Sequence, residues 1–252
     1  GGALDALLLE PGASHRLLQR LSDVFQADPP PSNRGCGTQH SFKGGAYPRK
    51  VFSPEAVIRM LGLARSFWVA APNITRLVVG ERSRLVICGD THGQLEDVLW
   101  MFFKYGVPSS SNQYLFNGDI VDRGGHALEI LMLLFALKRD EPSCVHILRG
   151  NHEDEATCTS FGFKSEIESK FGQGGAGGWI FQMFTNQVFP VLPLCALISD
   201  ASSSFFMCVL HGGIPVNGPG QQGPVTLDGD IAKLNRTSVS VQRDRSKATL
   251  TE

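Results

Sequence analysis

Residues Gly89–Glu153 read GDTHGQLEDVLWMFFKYGVPSSSNQYLFNGDIVDRGGHALEILMLLFALKRDEPSCVHILRGNHE. Three motifs punctuate this stretch: GDTHGQ (Gly89–Gln94), GDIVDRGG (Gly118–Gly125) and LRGNHED, which runs on to Asp154. Each follows directly on an apolar, β-branched or aromatic run: Leu85-Val86-Ile87-Cys88, Tyr114-Leu115-Phe116 and Val145-His146-Ile147-Leu148. Such short runs read as buried strands. Between them, Leu95–Tyr105 and Ala127–Arg139 have the pattern and length of helices. Strand, loop and helix in repetition predict an α/β fold with parallel pairing. In such sheets ligands sit at the carboxyl ends of the strands, where all three motifs fall.

The side chains delivered there make a metal-binding set. Asp90 and His92 come from the first loop, Asp119, Asp122 and Arg123 from the second, and Asn151 and His152 from the third. Carboxylate, imidazole and amide oxygen together suit a borderline divalent ion such as Mn2+, Fe2+ or Zn2+, and a carboxylate between two ions can bridge them. Two ions about 3.5–4 Å apart would clamp a phosphoryl group and acidify a bridging water. One Asp-x-His or Asn-His pair is usually a turn or a satisfied polar contact. Three of them in consecutive β-α units point to a shared centre.

The order GDTHGQ, GDIVDRGG, RGNHE resembles the phosphoprotein phosphatase family of serine/threonine phosphatases, within the calcineurin-like metallophosphoesterase superfamily. Val-Asp-Arg-Gly after Asp119 and the arginine before Gly150 are the more particular to protein phosphatases. FGFKSEI (Phe161–Ile167), LPLCALI (Leu192–Ile198) and LHGGI (Leu210–Ile214) follow in the family's order, and the similarity covers about Pro48 to Arg236. CGDTHGQ and VTLDGDIAKLNR are similar to the tetratricopeptide-linked branch, APNI (Ala71–Ile74) and RGNHED to the EF-hand-linked branch.

The resemblance implies a β-sandwich with flanking helices, and hydrolysis of phosphoserine and phosphothreonine through a two-metal centre and a metal-bound hydroxide. It implies Asp90, His92 and Asp119 around one ion (Mn2+, or Fe/Zn) and Asp119, Asn151 and His211 around the other. Arg123 and Asn151 would bind the phosphate, and Asp122 would orient His152 as general acid. The chemistry stands without the resemblance: a serine alkoxide is a poor leaving group, and a histidine held by a carboxylate can protonate it near neutral pH. Arginine's planar fork matches phosphate oxygens. Expected partners are phosphoprotein substrates and a regulatory subunit or calcium sensor. Small phosphoesters such as dinucleoside polyphosphates are the alternative substrates, and a non-catalytic binding module is the third reading.

The chain has 252 residues, 42% apolar composition and a formal net charge of −1, enough for one sizeable core and with no bias toward nucleic acid. Its six cysteines show no CxxC spacing and read as core residues in a reducing compartment, cytoplasmic or nuclear. The most apolar run, Ile130–Leu137, is far below the roughly 20 residues that span a bilayer.

Residues 1–47 read as an N-terminal extension and linker. Leu17, Leu18, Leu21, Val24 and Phe25 suit either a flexible approach or a short helix that docks, before a Pro- and Gly-rich stretch. Residues 48–236 read as the catalytic domain, opening with a helix over Ser53–Phe67 capped by Ser53 with Pro54 behind it. Arg76–Gly80 reads as an edge strand, Ser160–Phe171 as one charged helix and Gln173–Gly178 as a glycine-rich loop without the spacing of a P-loop. Trp179–Phe189 reads as helix. Ala196–Ile198 and Phe205–Leu210 read as strands opening a second sheet.

His126 and His146 read as structural, and Arg149 as either a loop anchor or a phosphate contact. The resemblance implies a further metal-binding histidine, a second phosphate-binding arginine and an active-site tyrosine beyond this point; none can be assigned here, His211 being the last histidine and Tyr114 the last tyrosine. The second ion's set is therefore one ligand short, the C-terminal strands are missing, and residues 237–252 read as a polar tail. A piece of a longer phosphatase is the expectation.

Overall fold

The computed structural model describes residues 2–26, 50–201, 206–213 and 225–237. The chain begins with helices α1 (Gly2–Leu9), α2 (Ser14–Gln26) and α3 (Pro54–Trp68). Strands β1 (Ile74–Val79) and β2 (Arg84–Cys88), helix α4 (Leu95–Tyr105), strand β3 (Asn112–Phe116), helix α5 (Ala127–Asp140) and strand β4 (Val145–Ile147) follow. Helices α6 (Glu155–Phe161), α7 (Phe163–Phe171) and α8 (Gly175–Met183) then lead to β5 (Cys195–Asp200) and β6 (Phe206–Leu210).

Strands β2, β3 and β4 pair in parallel in that order, with Val86 opposite Tyr114 and Tyr114 opposite Val145. The crossover connections that parallel pairing requires run through α4 and α5. A second sheet has the order β1-β5-β6, β1 parallel and β6 antiparallel to β5. Alternation along β3 shows how the layers meet. Tyr114 and Phe116 join the helical core, while Leu115 points the other way and packs with Leu77, Ala196 and Ile198 of the second sheet. The first sheet thus lies between helices and a second sheet, the sandwich expected from the sequence. On the far face of the second sheet, Ile231 packs on Ile74 and Cys195. The Asn73 side chain pins that segment by donating to the carbonyls of Ile231 and Leu234 at 2.8 and 2.7 Å.

Helix α3 starts where Pro54 follows the Ser53 cap, whose hydroxyl accepts from the Ala56 N–H. Apart from Glu129, which Lys170 engages at 2.6 Å, helix α5 is apolar from Ala127 to Leu137, and each of those residues is buried. Its outer side is covered by the N-terminal helices, so of the two readings for residues 14–26 the docking helix is the one observed. Leu8, Leu17 and Leu21 lie in the same core as α3 and α5. Asp140 accepts from Ser14 N–H at 2.9 Å, and Asp5 accepts from Ser53 N–H at 2.8 Å. Leu17→Ala should therefore cost about 2–5 kcal/mol in a urea or thermal unfolding curve.

Four expectations need correction. The single helix over Ser160–Phe171 is two helices broken at Gly162, whose φ is 126°. The break is tertiary: Asp122 Oδ1 accepts from Phe163 N–H at 2.8 Å, and the Phe161 carbonyl accepts from Arg123 N–H at 3.1 Å. The glycine loop ends early, since α8 begins at Gly175. Its low propensity is overridden because Ile180 and Phe181 are buried and Gly177 lies against the Gly172 carbonyl with no room for a side chain. The helix expected to reach Phe189 stops at Met183, giving way to a π turn (Phe184–Val188) and a 3-10 turn (Phe189–Val191) that bury Phe184 and Phe189. Edge strand β1 starts two residues earlier than expected. The linker at 28–45 and the tail beyond 237 lie outside the described residues, as do residues 202–205 between β5 and β6. No helix among the described residues is long and apolar enough to cross a membrane.

Candidate metal centre

The loops after β2 and β3 are tied side to side by their own backbones. The N–H groups of Thr91 and His92 donate to the Asp119 carbonyl at 3.2 and 3.0 Å, and Gly93 N–H to the Ile120 carbonyl at 2.8 Å. Gly124 N–H donates back to the His92 carbonyl at 2.9 Å. Among the described residues, His92, Asp119, Asp122 and Arg123 are the non-glycine residues with positive φ, at 42°, 50°, 71° and 64°. Each such conformation costs on the order of 1–3 kcal/mol and persists where the surroundings over-determine it, as they do here. All four are residues singled out from the sequence.

Close approach of two loops explains Gly118 and Gly150. Gly118 has φ 82°, and a Cβ there would fall on the backbone of Gly150. Gly118→Ala should destabilise by roughly 1–3 kcal/mol or more, read from the unfolding midpoint, because both the clash and the φ oppose it.

Asp119 stands at the centre. Its Oδ1 accepts from His152 N–H at 2.8 Å, which leaves Oδ2 facing the histidines. That oxygen lies 3.8 Å from His92 Nε2, 3.9 Å from His152 Nε2 and 3.2 Å from His211 Nε2. Two donor groups result, His92/Asp119/His152 and Asp90/Asp119/His211, and Asp119 belongs to both. Asp90 Oδ2 is also 3.6 Å from His92 Nε2, so Asp90 reaches toward either group. Asn151 Oδ1 lies 2.9 Å from His211 Nε2.

These donors fit a cation. His92 Nδ1 donates to the Val121 carbonyl at 2.8 Å, which makes Nε2 the lone-pair nitrogen. That Nε2 is buried without a hydrogen-bond partner, and burial holds the ring's pKa down, so a neutral imidazole aims at two carboxylates. His211 behaves oppositely without metal. Its hydrogen bond to Asp119 pushes its pKa up to about 9, a proton supplying the positive charge that the carboxylates draw in. Asp119 itself is held low: burial would raise it, but the hydrogen bonds from His211 and from His152 N–H outweigh that.

Beside this set lies an acid-like pair. His152 Nδ1 donates to Asp122 Oδ2 at 2.7 Å, with both side chains buried, and Phe161 packs edge-on against the ring at 5.2 Å. The exposed Arg123 reaches Nη2 to 3.5 Å from His152 Nε2. The structure thus brings Asp90, His92, Asp119, Asp122, Arg123, Asn151, His152 and His211 together around one opening. Arg149 takes the anchoring option, donating to the carbonyls of Glu153 and Arg236, each at 3.1 Å. His146 bonds the Ser143 carbonyl at 3.0 Å, and His126 meets the Phe25 ring edge-on at 4.6 Å.

Two residues of this region escaped the sequence reading. The sequence pattern places Phe161 in a helix and Glu153 at the end of a motif. Glu153 is fully buried and receives N–H groups from two loops, Asp119, Ile120 and Gly150, each at 2.8 Å. Nothing local distinguishes it from a surface acid near Arg149.

A family model described as calcineurin-like phosphoesterase matches residues 83–243. The chain belongs to the calcineurin-like phosphoesterase family. Among its relatives, "Serine/threonine-protein phosphatase 5" of Solanum lycopersicum is 41% identical over 145 residues, 58% of this chain and 24% of that protein. "Serine/threonine-protein phosphatase with EF-hands 2" of Homo sapiens is 38% identical over 158 residues, 63% of this chain and 20% of that protein. The chain therefore spans about a quarter or less of these curated relatives. A solved serine/threonine phosphatase from Saccharomyces cerevisiae, described as similar to human phosphatase PP5, superposes with a TM-score of 0.64 at 33% identity, covering 76% of this chain and 56% of that one. The calcineurin-like fold read from the sequence is thus the fold observed.

Proposed function

We propose that this member of the calcineurin-like phosphoesterase family hydrolyses phosphoserine and phosphothreonine in proteins. The observation that carries the reading is Asp119 Oδ2, shared by two donor groups with a carboxylate-bound histidine alongside. Asp90, His92 and Asp119 would hold one divalent ion, and Asp119, Asn151 and His211 the other, Mn2+ or an Fe/Zn pair. When bound, such ions neutralise phosphate charge and acidify water. The remaining work falls to the chain's own side chains. Arg123, exposed at the rim, offers its guanidinium fork to the phosphate oxygens, and Asn151 adds an amide donor. Asp122 accepts from Nδ1–H and fixes the orientation of the His152 ring, leaving Nε2 to deliver a proton to the departing serine or threonine oxygen. Phe161 packs edge-on against that ring, helping to hold its orientation.

Similarity to protein phosphatases of two kinds favours phosphoprotein substrates over dinucleotides, and a regulatory partner or calcium sensor and a cytoplasmic or nuclear location belong to the same proposal. The test is turnover by the full 252-residue chain with Mn2+, comparing a phosphoserine peptide with a dinucleoside tetraphosphate. Release of phosphate from the peptide is expected. Preference for the dinucleotide, or turnover of neither, overturns it.

A further inference from the structure

We infer that Glu153 is a positioning residue for both halves of the metal centre, acting through the backbone of Asp119. The inference rests on the proposed metal-binding reading and concerns a side chain that supplies no donor atom to either group.

The carboxylate is fully buried, and the neighbouring Arg149 hydrogen-bonds the Glu153 main-chain carbonyl, at 3.1 Å. Its Oε2 accepts from the N–H groups of Asp119 and Gly150, both at 2.8 Å, and its Oε1 from Ile120 at 2.8 Å and Val121 at 3.4 Å. A buried carboxylate is costly unless its oxygens are hydrogen-bonded, and here backbone donors supply the bonds. These donors come from the loops after β3 and β4, so Glu153 joins the two. Asp119 returns the tie: its Oδ1 accepts from His152 N–H at 2.8 Å. Each loop therefore grips the other's backbone with an acid.

That reciprocity has a directional effect. Asp119 sits at φ 50°, a conformation its neighbours must enforce. Glu153 holds the N–H groups of residues 119–121, His152 holds Oδ1, and only Oδ2 remains to face His92 and His211. Gly150 completes the arrangement, because a Cβ there would strike both Asp119 Oδ1 and Glu153 Oε2. Outer partners that orient a ligand typically change metal affinity by about 10–100-fold when removed.

Glu153→Gln tests this with little change in volume. One Gln atom becomes an NH2 facing two backbone donors, so one half of the clasp is lost whichever way the amide turns. Mn2+ binding to the full chain, followed by the EPR signal of the free ion well below the unfolding midpoint, should weaken by about 10–100-fold for both equivalents, since Asp119 serves both donor groups. Glu153→Asp, which keeps the charge, should recover part of the affinity. Wild-type affinity in Glu153→Gln alongside a lowered midpoint would show a role confined to stability and overturn the inference. If the wild-type chain itself bound no Mn2+, the metal reading would fail. Amide hydrogen exchange then decides the clasp, as it does if Glu153→Gln does not fold. In the wild type the N–H groups of Asp119, Ile120 and Gly150 should exchange as slowly as those of β3. Exchange at the rate of exposed loop amides would overturn the inference.

Discussion

His152→Ala should lower kcat on a phosphoserine peptide by roughly 10²–10⁴-fold, the range of a lost general acid. The substrate chosen for comparison makes the prediction specific. An aryl phosphate leaves as a stable phenolate and needs little help from a proton donor, so the same variant should lose much less on it. The comparison matters because His152 Nε2 also lies within one of the two donor groups, 3.9 Å from Asp119 Oδ2. A histidine that served as a metal ligand would be missed equally by both substrates. Equal losses would therefore remove His152 from the role of acid. The fold should survive, because Asp122 Oδ1 keeps its bond from Phe163 N–H and the loop tie from residue 152 to Asp119 is made by backbone.

Asp119→Asn is expected to remove both metal equivalents together, with a loss of affinity beyond the ~10–100-fold typical of outer partners. The substitution is suited to the geometry. Asparagine tolerates positive φ, its Oδ1 can still accept from His152 N–H, and its amide nitrogen replaces only the oxygen that faces the histidines. The unfolding midpoint should move little while Mn2+ stoichiometry, measured by equilibrium dialysis, falls from two toward zero. Retention of one full equivalent would show that the two groups do not share this carboxylate.

The parts of the fold that were legible were those in which neighbouring residues determine the outcome. Helix α4 begins and ends where its pattern says, because Gln94 follows a glycine turn and Gly106 closes the far end. The three motif loops could be placed because each strand before them is short, apolar and followed by a Gly-Asp or Arg-Gly turn. What escaped is decided at long range. Nothing within FGFKSEI announces that Asp122, some forty positions earlier, takes the Phe163 N–H and breaks the helix at Gly162. The glycines before Trp179 argue against helix, and only packing of Ile180 and Phe181 overrides them. Glu153 was invisible for the same reason, since its partners lie in another loop.

Helix α5 carries a practical consequence. Buried all round from Ala127 to Leu137 and apolar there except for Glu129, it has no face left for water, and α1 and α2 supply part of its cover. Residues 2–26 are thus part of what keeps that core out of water. Trimming the protein back to the stretch that matches its relatives would bare a greasy cylinder, and aggregation would follow even with each motif intact.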